Sequence, residues 1–148
     1  MKQMQIASAV LALSALAAGA ASLQLTDLPR AVQTTVQETL KGGQIRNISK
    51  EKENGVTQYE VETMLNGKHR DFNVDAKGKQ LVVEEETDIA AIPALAKAAI
   101  EKKAAGGKIG MVELFMRDGE TLYEAAYTSK DGKKHEVLVK ADGTETKE

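Results

Sequence analysis

The chain has 148 residues, a formal net charge of −2 and 3% aromatic residues, with no Trp and no Cys. This length predicts one domain or two small ones. The absence of Cys excludes disulfides, thiolate metal sites, cysteine nucleophiles and a lipoprotein anchor. No basic patch of the kind that binds phosphates is evident, so we expect no nucleic-acid partner.

Residues 1–21 are typical of a secretory signal peptide. Lys2 supplies a weak positive charge, an apolar run follows, and Ala18-Gly19-Ala20 is a small-residue cleavage pattern. A transmembrane anchor is the alternative, but the run is Ala-rich and shorter than the roughly 20 strongly apolar residues that a span needs. We therefore expect export, cleavage near Ala21, a periplasmic or secreted location and no membrane association afterwards.

The rest of the chain contains one stretch twice. Residues 59–81 and 123–146 each have a Tyr-Glu strand start, a Gly turn, an alternating strand and a second Gly turn. The two copies are offset by 64 residues, and by 65 after one inserted residue. Because this offset holds over a whole unit, the sequence predicts an internal duplication. The aligned pairs are Pro29–Pro93, Gly42–Gly106, Ile45–Ile109, Tyr59–Tyr123, Gly67–Gly132, Val74–Val139 and Gly78–Gly143.

Each unit is predicted to begin with an amphipathic helix. In the first unit, Thr26 or Asp27 is the expected N-cap, and Pro29 lies in the first turn, where its missing N–H costs nothing. Gly42 and Gly106 follow the two helices, because glycine accepts the left-handed conformation that ends a helix. The predicted apolar stripes are Leu28, Val32, Val36 and Leu40 in the first helix, and Ile92, Leu95, Ala96, Ala99 and Ile100 in the second.

Four antiparallel strands are predicted to follow each helix. Their turns carry strong hairpin signals such as Asn54-Gly55 and Asp118-Gly119. The expected strands are residues 44–52, 57–64, 68–74 and 79–86 in the first unit, and 108–117, 121–128, 134–140 and 144–147 in the second. The side chains expected to face the helices are Tyr59, Val61, Phe72, Val74, Tyr123, Ala125, Tyr127, Val137 and Val139.

These elements predict an α+β layer fold. It consists of two tandem helix-plus-four-strand units, residues 22–87 and 88–148, with both helices on one face of a curved antiparallel sheet of about eight strands. A unit of about 60 residues is marginally stable alone, so we expect the two units to pack together.

The strand pattern resembles the PepSY and PepSY-like domains of secreted bacterial proteins. The resemblance rests on Tyr59-Glu60-Val61-Glu62 and on the run F-N-V-D-A-K-G-K-Q-L at residues 72–81, a Tyr-x-Val strand followed by a Val-Asp-Ala-x-x-Gly-x-x-Leu close. The second unit keeps Tyr123-Glu124-Ala125 but has Lys140 where the family pattern has Asp.

Two such units in tandem are similar to the architecture of the β-lactamase inhibitor protein, which presents a curved sheet to an enzyme. PepSY units also occur in propeptides of thermolysin-like metalloproteases, where they restrain the protease. The resemblance implies a binding or inhibitory module outside the cytoplasm, such as a peptidase inhibitor or modulator. It does not choose a partner, because a fold alone does not determine a function.

The sequence contains no recognisable catalytic or metal-binding motif. His69 and His135 are not aligned by the duplication, and a zinc site takes three or four ligands. There is no HExxH, no calcium loop and no nucleophile elbow. We therefore expect no enzymatic activity, no catalytic residue, no cofactor and no metal site.

The candidate partner-binding residues lie on the predicted sheet face away from the helices. Strand alternation places Glu60, Glu62, Asp71 and Glu84 there in the first unit. A solvated polar face is the usual state of one side of an antiparallel sheet. The functional alternatives are an acidic docking surface for a basic partner and a weak calcium site.

In the second unit, the same alternation places the apolar residues Phe115, Leu122, Ala126 and Leu138 among Glu113, Glu124 and Glu136. Exposed apolar residues would indicate an interaction site. The alternatives are that Phe115 and Leu138 pack at the junction of the units, or that a β-bulge shifts the alternation. The resulting hypothesis is a monomeric module that binds another extracytoplasmic protein through this face, with calcium or small-ligand binding as the alternative.

Overall fold

The computed structural model describes residues 22–53 and 55–147. The predicted signal peptide at residues 1–21 and Asn54 of the first predicted hairpin turn lie outside the described residues. Within the described part of the chain, no helix is both long enough and apolar enough to span a bilayer.

The chain passes twice through the same order of elements, namely a 3₁₀ turn, an α-helix and four strands. In the first unit these are the turn Leu25–Asp27, α1 Arg30–Leu40, β1 Gln44–Glu53, β2 Val56–Leu65, β3 Lys68–Asp75 and β4 Gln80–Thr87. In the second they are the turn Ile89–Ala91, α2 Ala94–Lys103, β5 Lys108–Arg117, β6 Glu120–Thr128, β7 Lys134–Val139 and β8 Glu145–Thr146. All eight predicted strands are present, with ends within one residue of the prediction.

The eight strands form one antiparallel sheet in chain order, from β1 to β8. Strands β4 and β5 are paired from Val82 with Arg117 to Thr87 with Val112, so the two units share a continuous sheet. The predicted α+β fold of two helices on an open eight-stranded antiparallel sheet is confirmed.

Both helices pack on the same face of the sheet, and each unit has its own apolar core. Val32 and Val36 of α1 are fully buried in the first core, and Ala96 and Ile100 of α2 are fully buried in the second. The side chains predicted to face the helices do so. They are Tyr59, Val61, Phe72 and Val74 in the first core, and Ala125, Val137 and Val139, with partly buried Tyr123 and Tyr127, in the second.

Two details of the helix predictions are wrong. Leu95 is 62% exposed and belongs to no core, because it lies one residue before Ala96 and is therefore turned by about 100° around the helix axis. Helix α1 begins at Arg30 with Pro29 as its N-cap. Asp27 instead accepts a hydrogen bond of 2.9 Å from the backbone N–H of Gln24, within the preceding 3₁₀ turn.

Arg70 of β3 connects the sheet to the C-terminal end of α1. Its guanidinium Nε donates to Glu85 Oε1 at 2.8 Å, and its Nη1 donates to the backbone carbonyl of Thr39 in the last helical turn. A cation is favourable at this end of a helix, where backbone carbonyls lack partners. The duplication aligns His135 with Arg70, and His135 instead stacks on Tyr127 with ring centroids 5.1 Å apart.

Two aligned glycines hold the turns before β4 and β8 against the helices. Gly78 and Gly143 have φ of +89° and +84°, and a Cβ at either position would lie 2.7 Å from a helix carbonyl oxygen, that of Ala31 or of Leu95. The same contact at equivalent places in both units agrees with the predicted duplication. It also shows that only a residue without a side chain lets these turns approach so closely.

We predict that Gly78→Ala lowers the free energy of unfolding by about 2–4 kcal/mol, because a left-handed residue and an overlapping methyl group each add a cost. Urea denaturation measures the loss. Gly67→Ala is the matched control, since Gly67 has φ of +80° and a methyl group there would have no atom within 4 Å, and it should cost about 1 kcal/mol. Equal losses in the two variants would contradict the close approach.

Candidate functional site

We call the sheet face opposite the two helices the open face, and no helix of the described residues lies on it. The strand register determines which side chains point to this face, because directly paired residues point to the same side of the sheet. Asp71 pairs with Glu84, Glu84 with Phe115, and Glu113 with Glu124. The register places every predicted partner-binding residue on the open face, while their part in binding stays a prediction. These residues are Glu60, Glu62, Asp71, Glu113, Phe115, Glu124, Glu136 and Leu138.

Carboxylates face one another across the middle of the open face. Glu86 of β4 lies directly opposite Glu113 of β5, and Glu113 lies directly opposite Glu124 of β6. In the neighbouring row, Asp71 of β3 lies opposite Glu84 of β4. We call these five residues the central carboxylates. Like charges directly opposite each other destabilise a sheet, so packing alone does not favour this arrangement.

Backbone donors hold two of the central carboxylates in place. The N–H of Thr63 donates to Asp71 Oδ1 at 2.8 Å, and the N–H of His69 donates to Glu86 Oε2 at 2.9 Å. Such bonds favour the ionised form of a carboxyl group. The carboxylates are therefore fixed on the open face rather than free to turn away from one another.

Glu113 lies at the centre of this group. Its pKa is raised to about 7, mainly by burial and in smaller part by the charges of Asp71, Glu86 and Glu136, while His69 opposes the rise. Burial also raises the pKa of Asp71, against the effect of its hydrogen bond from Thr63. Near neutral pH, Glu113 is therefore only partly ionised.

A second perturbed carboxyl group lies on β2. The pKa of Glu60 is raised to about 7, mainly by burial and in smaller part by repulsion from Glu51 and Glu62. The Ser49 hydroxyl opposes it by donating to Glu60 Oε2 at 3.3 Å. Asn47 Nδ2 donates to Glu62 Oε1 at 3.0 Å. The acidic character of the open face therefore extends from β1 to β7, where Glu136 lies.

The apolar residues of the open face are buried. Phe115 is 1% exposed and Leu138 is 7% exposed, and they form a small cluster with Leu122, against which Val82 packs. The expectation that Phe115 and Leu138 are exposed is wrong. Neighbouring strands lie about 4.8 Å apart, so side chains on adjacent strands cover Phe115 on both sides. Packing of Phe115 beside Val82 of β4 matches the alternative of burial at the junction of the units.

Three residues of the open face were missed among the site predictions, namely Glu86, Val82 and Arg117. Glu86 follows from strand alternation, since it lies two residues beyond Glu84 on β4. Val82 follows from the same alternation. Arg117 places its guanidinium carbon 5.2 Å from the centroid of the Phe115 ring, within the range of a cation–π contact, and no sequence pattern indicates that contact.

Within residues 22–53 and 55–147, no group of three or more His, Asp or Glu residues is placed to hold a metal ion. The carboxylates are instead spread across strands as opposed pairs. What this surface can do chemically is take up protons and attract cationic groups.

No protein-family model matches the chain, and no curated protein matches it in sequence. Several solved structures share the fold. A candidate periplasmic protein from Bacteroides eggerthii matches with a TM-score of 0.66 and 12% identity, over 81% of this chain and 86% of that one. A DUF2874 family protein from Bacteroides ovatus matches with a TM-score of 0.62 and 13% identity, over 81% and 85%. A BLIP-like protein from Bacteroides fragilis matches with a TM-score of 0.58 and 17% identity, over 80% and 83%.

At these identities the likeness shows the fold alone. The chain therefore has a BLIP-like fold, in agreement with the resemblance to the tandem architecture of the β-lactamase inhibitor protein. Membership of the PepSY family stays a prediction.

The raised pKa values of Glu60 and Glu113 predict a protein that is more stable in mild acid than in mild base. A carboxyl group with a raised folded-state pKa binds its proton more tightly when folded, so the stability it contributes falls as pH rises from about 4.5 to about 7. We expect a higher thermal unfolding midpoint at about pH 5.5 than at about pH 8 by calorimetry.

Neutral replacements should remove part of this dependence. Glu60→Gln and Glu113→Gln should each raise the free energy of unfolding at high pH by about 1 kcal/mol after allowance for solvent screening, because an amide cannot ionise. Glu38→Gln on the exposed surface of α1 is the control and should change little. A loss of stability in both open-face variants at high pH would show that the two groups are not under electrostatic strain.

Proposed function

We propose that the mature chain is a protein-binding module of the periplasm or extracellular space, and that it docks a basic segment of another protein on its open face. The observation that carries this proposal is the one-sided fold. Both helices pack on one face, and the opposite face presents opposed carboxylates held by backbone hydrogen bonds.

Electrostatics supports a cationic partner. The pair Glu86–Glu113 places like charges directly across neighbouring strands, which costs stability in the unbound chain. Lysine or arginine side chains from a partner would replace this repulsion with charge-assisted hydrogen bonds. Perturbed carboxyl groups also tend to cluster at functional sites rather than at random on a surface.

The buried apolar cluster of Phe115, Leu122 and Leu138 would support the docking surface by holding its strands in place. Leu138 lies directly opposite Glu124 on the neighbouring strand, and Phe115 lies directly opposite Glu84. Their burial fixes the strands beneath these carboxylates. We therefore propose that Phe115 and Leu138 contribute mainly by positioning the acidic side chains, with the direct contacts made by the carboxylates.

The predicted signal peptide and the shared fold support the proposed location and role of this chain. One structural neighbour is described as a candidate periplasmic protein and another as BLIP-like. We propose by analogy that this chain uses the fold outside the cytoplasm as a monomeric inhibitor or modulator, with a peptidase as the class of target that the PepSY resemblance implies. The module itself is not proposed to be an enzyme. Calcium binding is less well supported, because the open-face carboxylates of the described residues form no metal-binding group.

Capture of envelope proteins on the mature chain tests this function. The wild-type chain, residues 22–148, should retain a partner from an envelope extract at low salt. A variant with Glu62→Gln, Asp71→Asn and Glu113→Gln should lose most of it, because the attraction depends on charge and is screened by salt. The matched control is Glu38→Gln with Glu101→Gln, which removes exposed carboxylates from the helix side.

Retention should fall with added salt for the wild type and the control alike. Equal retention by the open-face variant and the wild type would contradict docking on this face. Loss of the partner in the helix-side control alone would place the binding surface on the helices instead.

A further inference from the structure

The two units meet along a single pair of strands that we call the seam, residues 82–87 of β4 and 112–117 of β5. Each unit has its own buried core, and no buried cluster of the described residues includes fully buried side chains from both helices. On the helix face, Met116 packs against the first core. On the open face, Val82 packs against the cluster of Phe115. These contacts lie at the Val82–Arg117 end of the seam, whereas the open-face side chains that meet at its other end are Glu86 and Glu113.

Carboxylates crowd the open-face side of the seam. Glu86 and Glu113 face each other directly across it. The groups around Glu113 come from every strand packed near it, and the helices lie on the other face. They are Asp71 and His69 from β3, Glu84 and Glu86 from β4, Glu124 from β6 and Glu136 from β7. His69 is the basic group of this set. The exposed pair Lys79–Asp118, with 3.6 Å between Nζ and Oδ1, lies at the far end of the seam.

We infer that the seam is a pH-sensitive coupling between the two units, in which proton uptake by Glu113 tightens the pairing of β4 with β5, and proton loss loosens it. This coupling is intrinsic to the chain and needs no partner. A negative result for the proposed docking function would therefore leave this coupling untouched, and the reverse also holds.

The physical basis is that protonation removes a charge repulsion across the seam and provides a hydrogen-bond donor in its place. When Glu86 and Glu113 are both ionised, their charges oppose the pairing of the strands that carry them. When Glu113 is protonated, this repulsion is removed, and its O–H is available to donate to a neighbouring carboxylate. The raised pKa of Glu113 indicates that the protonated form persists to near neutral pH.

The effect should be local, because the two cores rest on apolar side chains of the opposite face. Segments with few buried apolar contacts open at a lower free energy than the core does. Charge repulsion at the seam therefore favours partial opening between β4 and β5 over loss of either core.

Hydrogen exchange on the mature wild-type chain tests the coupling. Protection factors of the seam amides, corrected for the intrinsic effect of pH on exchange, should fall roughly tenfold between about pH 6 and about pH 8, the factor that corresponds to one unit of differential pKa. Amides of β2 in the first core should change less. Glu113→Gln should keep the seam protected at the higher pH and abolish its pH dependence.

Glu60→Gln is the matched control, because Glu60 also has a pKa raised to about 7 but lies on β2, away from the seam. It should leave the pH dependence of the seam unchanged. Glu86→Gln, which removes the opposing charge, should act as Glu113→Gln does and provides the same test if Glu113→Gln fails to fold. The inference is overturned if wild-type seam protection does not change with pH, if it still changes in both seam variants, or if Glu60→Gln abolishes the change as well.

Discussion

Close packing of one helix per unit against the same face of a continuous sheet is the constraint on which the rest of the structure depends. The aligned glycines Gly78 and Gly143 let the turns before β4 and β8 approach within contact of the helix backbones. The helices then cover Val61 and Phe72 in the first unit and Val112 and Val137 in the second. Because the main apolar core of each unit is placed on that side, the opposite face is available for polar and charged side chains.

The open face bears an electrostatic cost that the fold does not require. Glu113 lies on β5 directly between Glu86 of β4 and Glu124 of β6. Structures that share this fold at 12% to 17% identity show that the backbone tolerates wide changes of side chain. The shared fold therefore does not by itself determine what this chain does.

The sequence predicted the features that depend on local periodicity. The side chains of a strand alternate between faces, so Glu60 and Val61 were assigned to opposite sides of the sheet from the sequence alone. Glycine turns at a constant offset indicated the repeat and the order of the strands. These signals are local along the chain and do not depend on which strands become neighbours.

What the sequence could not provide were the features that depend on neighbouring strands and on helix orientation. The burial of Phe115 depends on Val82 and Leu122, which become its neighbours only when β4, β5 and β6 pair in register. The opposition of Glu86 and Glu113 likewise requires the register across β4 and β5, which are separated in the chain by α2. Leu95 was misplaced because an Ala-rich helix gives a weak indication of which side is buried.

Residue-resolved carbodiimide labelling of the carboxyl groups, with and without a partner captured from an envelope extract, tests docking on the open face most directly. Docking there predicts that Glu62, Asp71 and Glu113 lose reactivity in the complex, while Glu38 and Glu101 on the helices keep theirs. Protection confined to the helix side, with unchanged labelling of the open face, would contradict it.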